Sequence, residues 1–577
     1  MTYRTFTRSL VVAIALCVTA PWAAGAQQSA VPSRGAIFHP VFAAHGMVAS
    51  QEARATRIGV DILKRGGNAV DAAVAVGFAL AVTRPRAGNL GGGGFMLIHD
   101  AASGETVALD YRESAPAAAT RDMYLDADGE VDRAKTWFSH LSAGVPGSVA
   151  GLAAALERYG TLSLADVLAP AIKLAADGIL LSPSLAASLA GRADRFRAWP
   201  ATARIFLRPD GTPHQAGYRL IQADLAWSLR QIAAHGPQAF YDGAIAEKIT
   251  ADMAAHDGLI TRADLAAYAP VWRQPVTGTY RGFEIFSMPP PSSGGVHLVQ
   301  ILNILEGFPI AEMGPNGAET IHVMAEAMKL AYADRAEYLA DADFWPVPVA
   351  GLTAKSYAET LRAGIDRSHA RAALDIAPGR PPVSESDQTT HFSVIDAAGN
   401  VVANTYTINF GYGSGIVAAG TGILLNNEMD DFSSKPGTPN AYGLIGGEAN
   451  AIEPGKRPLS SMTPTIVLKD GRPFLATGSP GGSRIITTTL QVIMNVIDHG
   501  MNIAAATNAA RVHHQWLPDE LRVETGLSPD TLRLLAAKGH VVAVKNAMGS
   551  TQSIMRTEAG LFGASDPRAP GALTLGY

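Results

Sequence analysis

The chain has 577 residues, 47% of them hydrophobic and 17% charged, the make-up of a protein that folds around a large core rather than staying disordered. A net charge of -5, with no Lys/Arg-rich run interleaved with aromatics, argues against nucleic acid as a partner. The single cysteine, Cys17, falls in an N-terminal leader, so disulfides, iron–sulfur clusters and cysteine catalysis are excluded from the mature chain and any nucleophile is an oxygen.

The leader reads as a secretory signal: Arg4 and Arg8 precede an apolar run over residues 10–20, and Ala24-Gly25-Ala26 is a small-residue cleavage site. Mature protein is expected to begin at Gln27, in the periplasm or the medium. The apolar run is short of the ~20 residues that span a bilayer, and no later segment is long enough, the nearest being residues 72–82 with Arg84 and Arg86 close behind. No linker, charge run or repeat divides the chain, so one compact body is expected. From residue 51 to about 305 the pattern is mainly helical. Ile58, Ile62 and Leu63 share a face before Gly66-Gly67, a second run covers residues 71–82, and Ser163 is placed to N-cap a helix carrying Leu164, Leu168 and Ile172 that ends at Gly178. The glycine run at 88–94 follows a helix instead of joining a strand to one, so it does not read as a phosphate loop.

Beyond residue 388 the texture changes to strands. Thr390, Phe392 and Val394 alternate with His391, Ser393 and Ile395, and residues 396–400 turn the chain into a partner strand over 401–409. A second hairpin runs over 465–468, turns at Asp470-Gly471 and returns through Phe474 to Thr477. Helices first and strands later predict a layered α+β body.

Several tempting motifs fail on spacing. Gly455-Lys456-Arg457 lacks the upstream glycine and the Ser/Thr of a P-loop, His513-His514 is adjacent with no HExxH frame, and no GxSxG elbow is present, so neither ATP nor a metal nor any cofactor is expected. The segment Glu385-Ser386-Asp387-Gln388-Thr389-Thr390-His391 is different, because a polar loop leads straight into a strand that opens on threonine. Such a threonine is ordinarily a β-former. If the Gln388–Thr389 bond were cut, its freed α-amine, with an ordinary pKa near ~8, would lie beside its own hydroxyl as a built-in base. Gly478-Ser479-Pro480-Gly481-Gly482-Ser483 follows a strand and opens an apolar helix over 485–497, which suits either an oxyanion or a plain packing turn.

With these blocks the sequence resembles the γ-glutamyltransferase (glutathione hydrolase) family, its bacterial branch above all. The likeness is carried by Gly46-Met47-Val48-Ala49-Ser50, Gly66-Gly67-Asn68-Ala69-Val70-Asp71, Asp110-Tyr111-Arg112-Glu113, Gln388-Thr389-Thr390-His391, Asn426-Asn427-Glu428-Met429-Asp430-Asp431-Phe432, Arg457-Pro458-Leu459-Ser460-Ser461-Met462 and Gly478-Ser479-Pro480-Gly481-Gly482, in order along nearly all of the mature chain. The resemblance implies an N-terminal nucleophile hydrolase fold, a four-layer αββα sandwich. In it, self-cleavage before Thr389 turns the precursor (signal 1–26) into a large subunit, 27–388, and a small catalytic one, 389–577, that stay together as a heterodimer.

It also implies the site. Thr389 is the nucleophile, Thr407 orients it from two residues before Asn409 on the same strand face, and Gly481 and Gly482 hold the oxyanion. Arg112, with Ser460 and Ser461, takes the α-carboxylate of a γ-glutamyl donor such as glutathione, while Asn409, Glu428 and Asp431 take its α-ammonium. Without the resemblance each of these charges reads more readily as a surface residue or a structural ion pair. Residues 431–442 match a lid loop with Tyr442 as its gate. The implied activity passes the γ-glutamyl group from an ester on Thr389 to water or to an amino acid or dipeptide. The alternative is a cephalosporin (glutaryl) acylase, whose substrates lack the ammonium that Glu428 and Asp431 would bind, and whose homologues tend to lack the lid.

Overall fold

In the strand Thr390–Ile395, Phe392 and Val394 point to one side and Ile395 to the other, and all three are fully buried. A strand buried on both faces lies inside a stack of layers, and this one does. It pairs antiparallel with Val401–Thr407 on one side and with Met47–Ser50 on the other. Here the protein is described from a computed structural model, over residues 36–376, 389–438, 444 and 446–577. The proposed signal, Gln388 and Tyr442 lie outside the described residues.

Two seven-stranded antiparallel sheets form the centre. One runs, edge to edge, Leu573–Gly576, Met47–Ser50, Thr390–Ile395, Val401–Thr407, Gly93–His99, Thr106–Tyr111 and Val271–Arg273. The other runs Val41–Ala43, Gly560–Ser565, Gln552–Thr557, Arg472–Thr477, Thr465–Lys469, Phe283–Ser287 and Val276–Tyr280. Phe95, Leu97, Ile395 and Ala403 of the first meet Ile466, Leu468, Ala476 and Ile554 of the second in one apolar layer. Helices cover both outer faces. Ala69–Thr83, with all fifteen residues buried, joins Ala53–Lys64 and Leu164–Asp177 against Val394, Val402 and Tyr406. Gly294–Leu305, Ala318–Tyr338 and Arg484–Ile497 pack on Val467 and Leu475 of the other sheet. Each large apolar side chain so enclosed contributes about 1.5–3 kcal/mol. The body is therefore the four-layer αββα sandwich.

The local signals that predicted helices are present as geometry. Ser163 accepts from Asp166 N, and the helix it starts stops at Gly178, whose φ of 80° suits glycine. The expected order of helices first and strands later is corrected, since Gly93–His99, Thr106–Tyr111 and Val271 to Ser287 place strands in the supposedly helical stretch. For the first two strands the cause is burial on both faces. Gly93–His99 and Thr106–Tyr111 are buried at every residue, so neither shows the apolar–polar alternation that marks a half-exposed strand.

Candidate active site

Thr389 is 6% exposed and stands just ahead of the strand Thr390–Ile395, between two cavities. One is a narrow cleft of about 30 Å³ that gathers Thr389, Thr407, Asn409, Arg112, Glu428, Asp431, Ser460, Ser461 and Gly482. Ten of the eleven residues expected from the sequence are described, and nine of them line this cleft; Gly481 lines the adjoining cavity beside Thr389.

The backbone explains how residues so far apart converge. Arg112 follows the strand Thr106–Tyr111, with its N–H donating to Asp110 Oδ1 at 3.0 Å. The acidic pair comes from a single 3-10 turn, Glu428–Asp431, anchored by the two asparagines ahead of it. Asn426 donates to the carbonyls of Gly91 and Gly144, both at 2.8 Å, and accepts from Glu428 N at 2.9 Å, while Asn427 Oδ1 accepts from Phe410 N at 3.0 Å. Asp430 turns the other way, accepting from Trp137 Nε1 at 2.8 Å, so only Asp431 of the two neighbouring aspartates lines the cleft.

Thr407 ends its strand, and Asn409 lies beyond it at φ 68°, which corrects the expectation that the two share a strand face. A threonine-to-backbone bond sets their relation instead: Asn409 N donates to Thr407 Oγ1 at 2.8 Å. The glycine run has a packing role here, because a Cβ on Gly92 would fall 2.0 Å from the Thr407 carbonyl oxygen, and one on Gly93 would fall 2.6 Å from Glu113 Oε2.

Charge dominates the cleft. Arg112 is 1% exposed, donates to Glu428 Oε1 and to Asp431 Oδ2, the latter at 2.5 Å, and has Glu113 within 3.8 Å. Burial opposes its charge, but the three carboxylates outweigh burial and hold its pKa above the usual arginine value. Burial pushes Glu113 up to about 7 and raises both Glu428 and Asp431, with Arg112 pulling each of the three back. Four buried acceptors around Arg112 have no hydrogen-bond partner among the described residues, Glu428 Oε2, Asn409 Oδ1 and both oxygens of Glu113, and of these Glu428 and Asn409 line the cleft. The serine hydroxyls have the opposite polarity. Ser460 Oγ accepts from Met462 N at 3.1 Å and Ser461 Oγ from Arg335 Nη2 at 3.1 Å, which leaves each O–H to donate.

Sequence reasoning missed Arg335 and gave no role to Glu113. Arg335 projects from the helix Ala318–Tyr338 into the cleft, with burial and Arg112 lowering its pKa to about 10. A lone arginine in an otherwise buried helical run was the available signal.

At the other wall, Gly481 and Gly482 hold φ of 142° and 56° just ahead of the helix Arg484–Ile497, and neither N–H has an acceptor among the described residues. His391, the nearest imidazole in sequence, bonds Thr405 Oγ1 at 2.8 Å and Ser393 Oγ at 3.1 Å, and burial lowers it to about 3, so it is neutral. His513 bonds Thr487 and Gln515, while His514 faces Asp519. Two groups of metal-ligand type, His140/Asp252/His256 and His322/Glu326/His540, share no residue with the cleft.

A threonine at the head of a central strand of a four-layer sandwich thus borders a cleft that holds both cationic and anionic side chains. The Gamma-glutamyltranspeptidase family model matches residues 55–575. The chain belongs to that family. It is 56% identical over 577 residues to the glutathione hydrolase proenzyme of Escherichia coli strain K12, covering 99% of each chain. It is 41% identical to the Acylase ACY 1 proenzyme of Pseudomonas sp. strain SE83, covering 92% of this chain and 94% of that one. Among solved structures, the cephalosporin acylase from Bacillus halodurans superposes with a TM-score of 0.84 at 31% identity, covering 96% of this chain and 98% of the other. This transpeptidase-family chain thus has relatives named glutathione hydrolase proenzyme and relatives named acylase proenzyme. Among its described residues no helix is long and apolar enough to cross a membrane.

Proposed function

We propose that the mature protein is an exported γ-glutamyltransferase and glutathione hydrolase, a heterodimer of the two halves of one precursor, with Thr389 as its N-terminal nucleophile. One observation carries the choice of acyl group. Buried Glu428 Oε2 and Asn409 Oδ1 lack donors in a cleft that also holds Arg112 and two serine O–H groups. An α-amino acid end supplies what each side lacks, its ammonium to the acceptors and its carboxylate to Arg112, Ser460 and Ser461. In the empty cleft Arg112 and the acids neutralise each other, so substrate exchanges one set of buried ion pairs for another instead of leaving any charge bare. A glutaryl group, with no ammonium, would leave the acceptors unsatisfied.

In this reading Thr389 Oγ attacks the γ-carbonyl while its own α-amine takes the hydroxyl proton. The N–H groups of Gly481 and Gly482 hold the oxyanion, and the amine product leaves with that proton. Water or a second amine then opens the γ-glutamyl ester. Export through the 1–26 signal would place the enzyme in the periplasm or outside the cell. Purified protein should hydrolyse a chromogenic γ-glutamyl anilide and do so poorly with the matching glutaryl anilide. Equal rates on the two would favour the acylase reading, and no turnover of either by fully cleaved protein would refute both.

A further inference from the structure

Thr389 also borders a second cavity, of about 440 Å³, whose wall beside the nucleophile is Gly481. The nucleophile and the two-glycine turn therefore separate a narrow cleft on one side from a roomy cavity on the other. An acyl donor spans that boundary by necessity. Its glutamyl part fills the cleft with the carbonyl at Thr389, so the substituent on the amide nitrogen lies beyond Thr389, and the volume is in the range that takes a small peptide.

Among the described residues the lining of this cavity is strongly basic, with Arg54, Arg57, Arg84, Arg86 and Arg568 against one acid, Glu52. Arg54 pairs with Glu52 at 3.0 Å, and Arg568 with Glu524 and Asp566. Glu52 also caps its helix, accepting from the N–H groups of Arg54 and Ala55. Arg84 and Arg57 form no ion pair with any described residue. Among the described residues, Arg84 Nη1 reaches the Gln51 carbonyl at 3.5 Å, and its buried Nε has no hydrogen-bond partner. Burial, with Arg86 adding repulsion, lowers its pKa to about 10, still far above neutrality, so the group stays charged. An enclosed guanidinium held beside a second one, with unused donors, is a site awaiting an anion.

We propose that this second cavity receives the amine half of donors and acceptors, and that Arg84, flanked by Arg86 and Arg57, binds its free carboxylate. The ligand class is the α-amino acid or short peptide with an unblocked C-terminal carboxylate, either as the leaving group of the first half-reaction or as the acceptor in the second. The proposal rests on the γ-glutamyl reading and adds to it a side preference that the glutamyl cleft does not provide.

The test compares, on mature cleaved enzyme, kcat/KM for a γ-glutamyl dipeptide with that for its C-terminal amide, alongside a γ-glutamyl anilide. Wild type should prefer the free acid by about tenfold, the effect of one charge-assisted bond. Arg84→Gln should bring acid and amide close to parity. Arg57→Glu, at an exposed position, should reduce the preference several-fold, and added salt should weaken that effect. Because the ratio is taken within each variant, a loss of folded enzyme cancels. A wild-type ratio near one, or an undiminished ratio in Arg57→Glu and in folded Arg84→Gln, would overturn the assignment. Failure of wild type to use the anilide would instead strike the γ-glutamyl reading on which it rests.

Discussion

At the scale of the residue, the cleft is a set of charges that are meaningful only together. Removing Arg112 leaves Glu113, Glu428 and Asp431 with Arg335 as the one cation left in the cleft, so Arg112→Ala should lower kcat/KM on a γ-glutamyl donor by roughly 30- to 1000-fold, the equivalent of ~2–4 kcal/mol. Asp431→Ala should cost a similar factor on a γ-glutamyl substrate and much less on a glutaryl one; equal losses on both would remove Asp431 from the ammonium site.

The same cluster sets a pH dependence. Burial raises all three carboxyls, with Glu113 at about 7, so protonation as pH falls takes away the negative charge that the ammonium needs, and kcat/KM should decline through that region. Glu428→Gln deletes one of three mutually repelling negative charges. The pKa values of the remaining two then drop, and the acid limb of the kcat/KM profile should move to lower pH. A limb that stays in place or moves upward would show that the cluster does not govern donor binding.

At the scale of the element, the strand Gly93–His99 and the glycines leading into it do more than pair. Gly92 lets the backbone pass against the end of the strand Val401–Thr407, where a methyl group would meet the Thr407 carbonyl at 2.0 Å. That oxygen is backbone and cannot rotate aside. Gly92→Ala should therefore destabilise the protein by ~1–3 kcal/mol in denaturant titration and depress activity further by shifting Thr407 and Asn409. Wild-type stability in that variant would mean the strands separate more easily than their packing implies. The glycine run was visible in the sequence, and its place after a helix argued against a phosphate loop. What it packs against was not visible, because Thr407 lies more than three hundred residues away.

At the scale of the whole molecule, the expected cut before Thr389 does not fall between domains. Met47–Ser50 and Gly93–His99 from the first part of the chain flank Thr390–Ile395 and Val401–Thr407 from the last, and the facing sheet mixes the two parts as well. Cleavage should then give pieces of 362 residues (388 - 26) and 189 residues (577 - 388) that separate on a denaturing gel but elute together under native conditions and unfold in one transition. Thr389→Ala should remain one folded, inactive chain, since it lacks the hydroxyl that both the cleavage ester and the acyl-enzyme require. Thr389→Ser should still process, more slowly, because the lost methyl helps to fix the rotamer. Cleavage of the alanine variant at the same bond would refute self-processing by Thr389.

The sequence by itself determined the chemistry in kind. A threonine at the head of a strand, an arginine, a run of asparagines and acids, paired serines and a Gly-Gly turn are local identities, and local identity survives in the linear order. It also determined the hairpins at 390–407 and 465–477, whose turns and neighbouring pairings are short-range. Only the tertiary structure decided three other matters. The first is the presence of the strands Gly93–His99 and Thr106–Tyr111 in a stretch read as helical, hidden because strands buried on both faces carry no alternation. The second is the convergence of Arg112, Glu428 and Arg335 around one small cleft, since long-range sheet and helix packing leaves no trace in spacing. The third is that Thr389 faces two cavities of opposite character, a difference that arises from which distant arginines the folded layers place behind it.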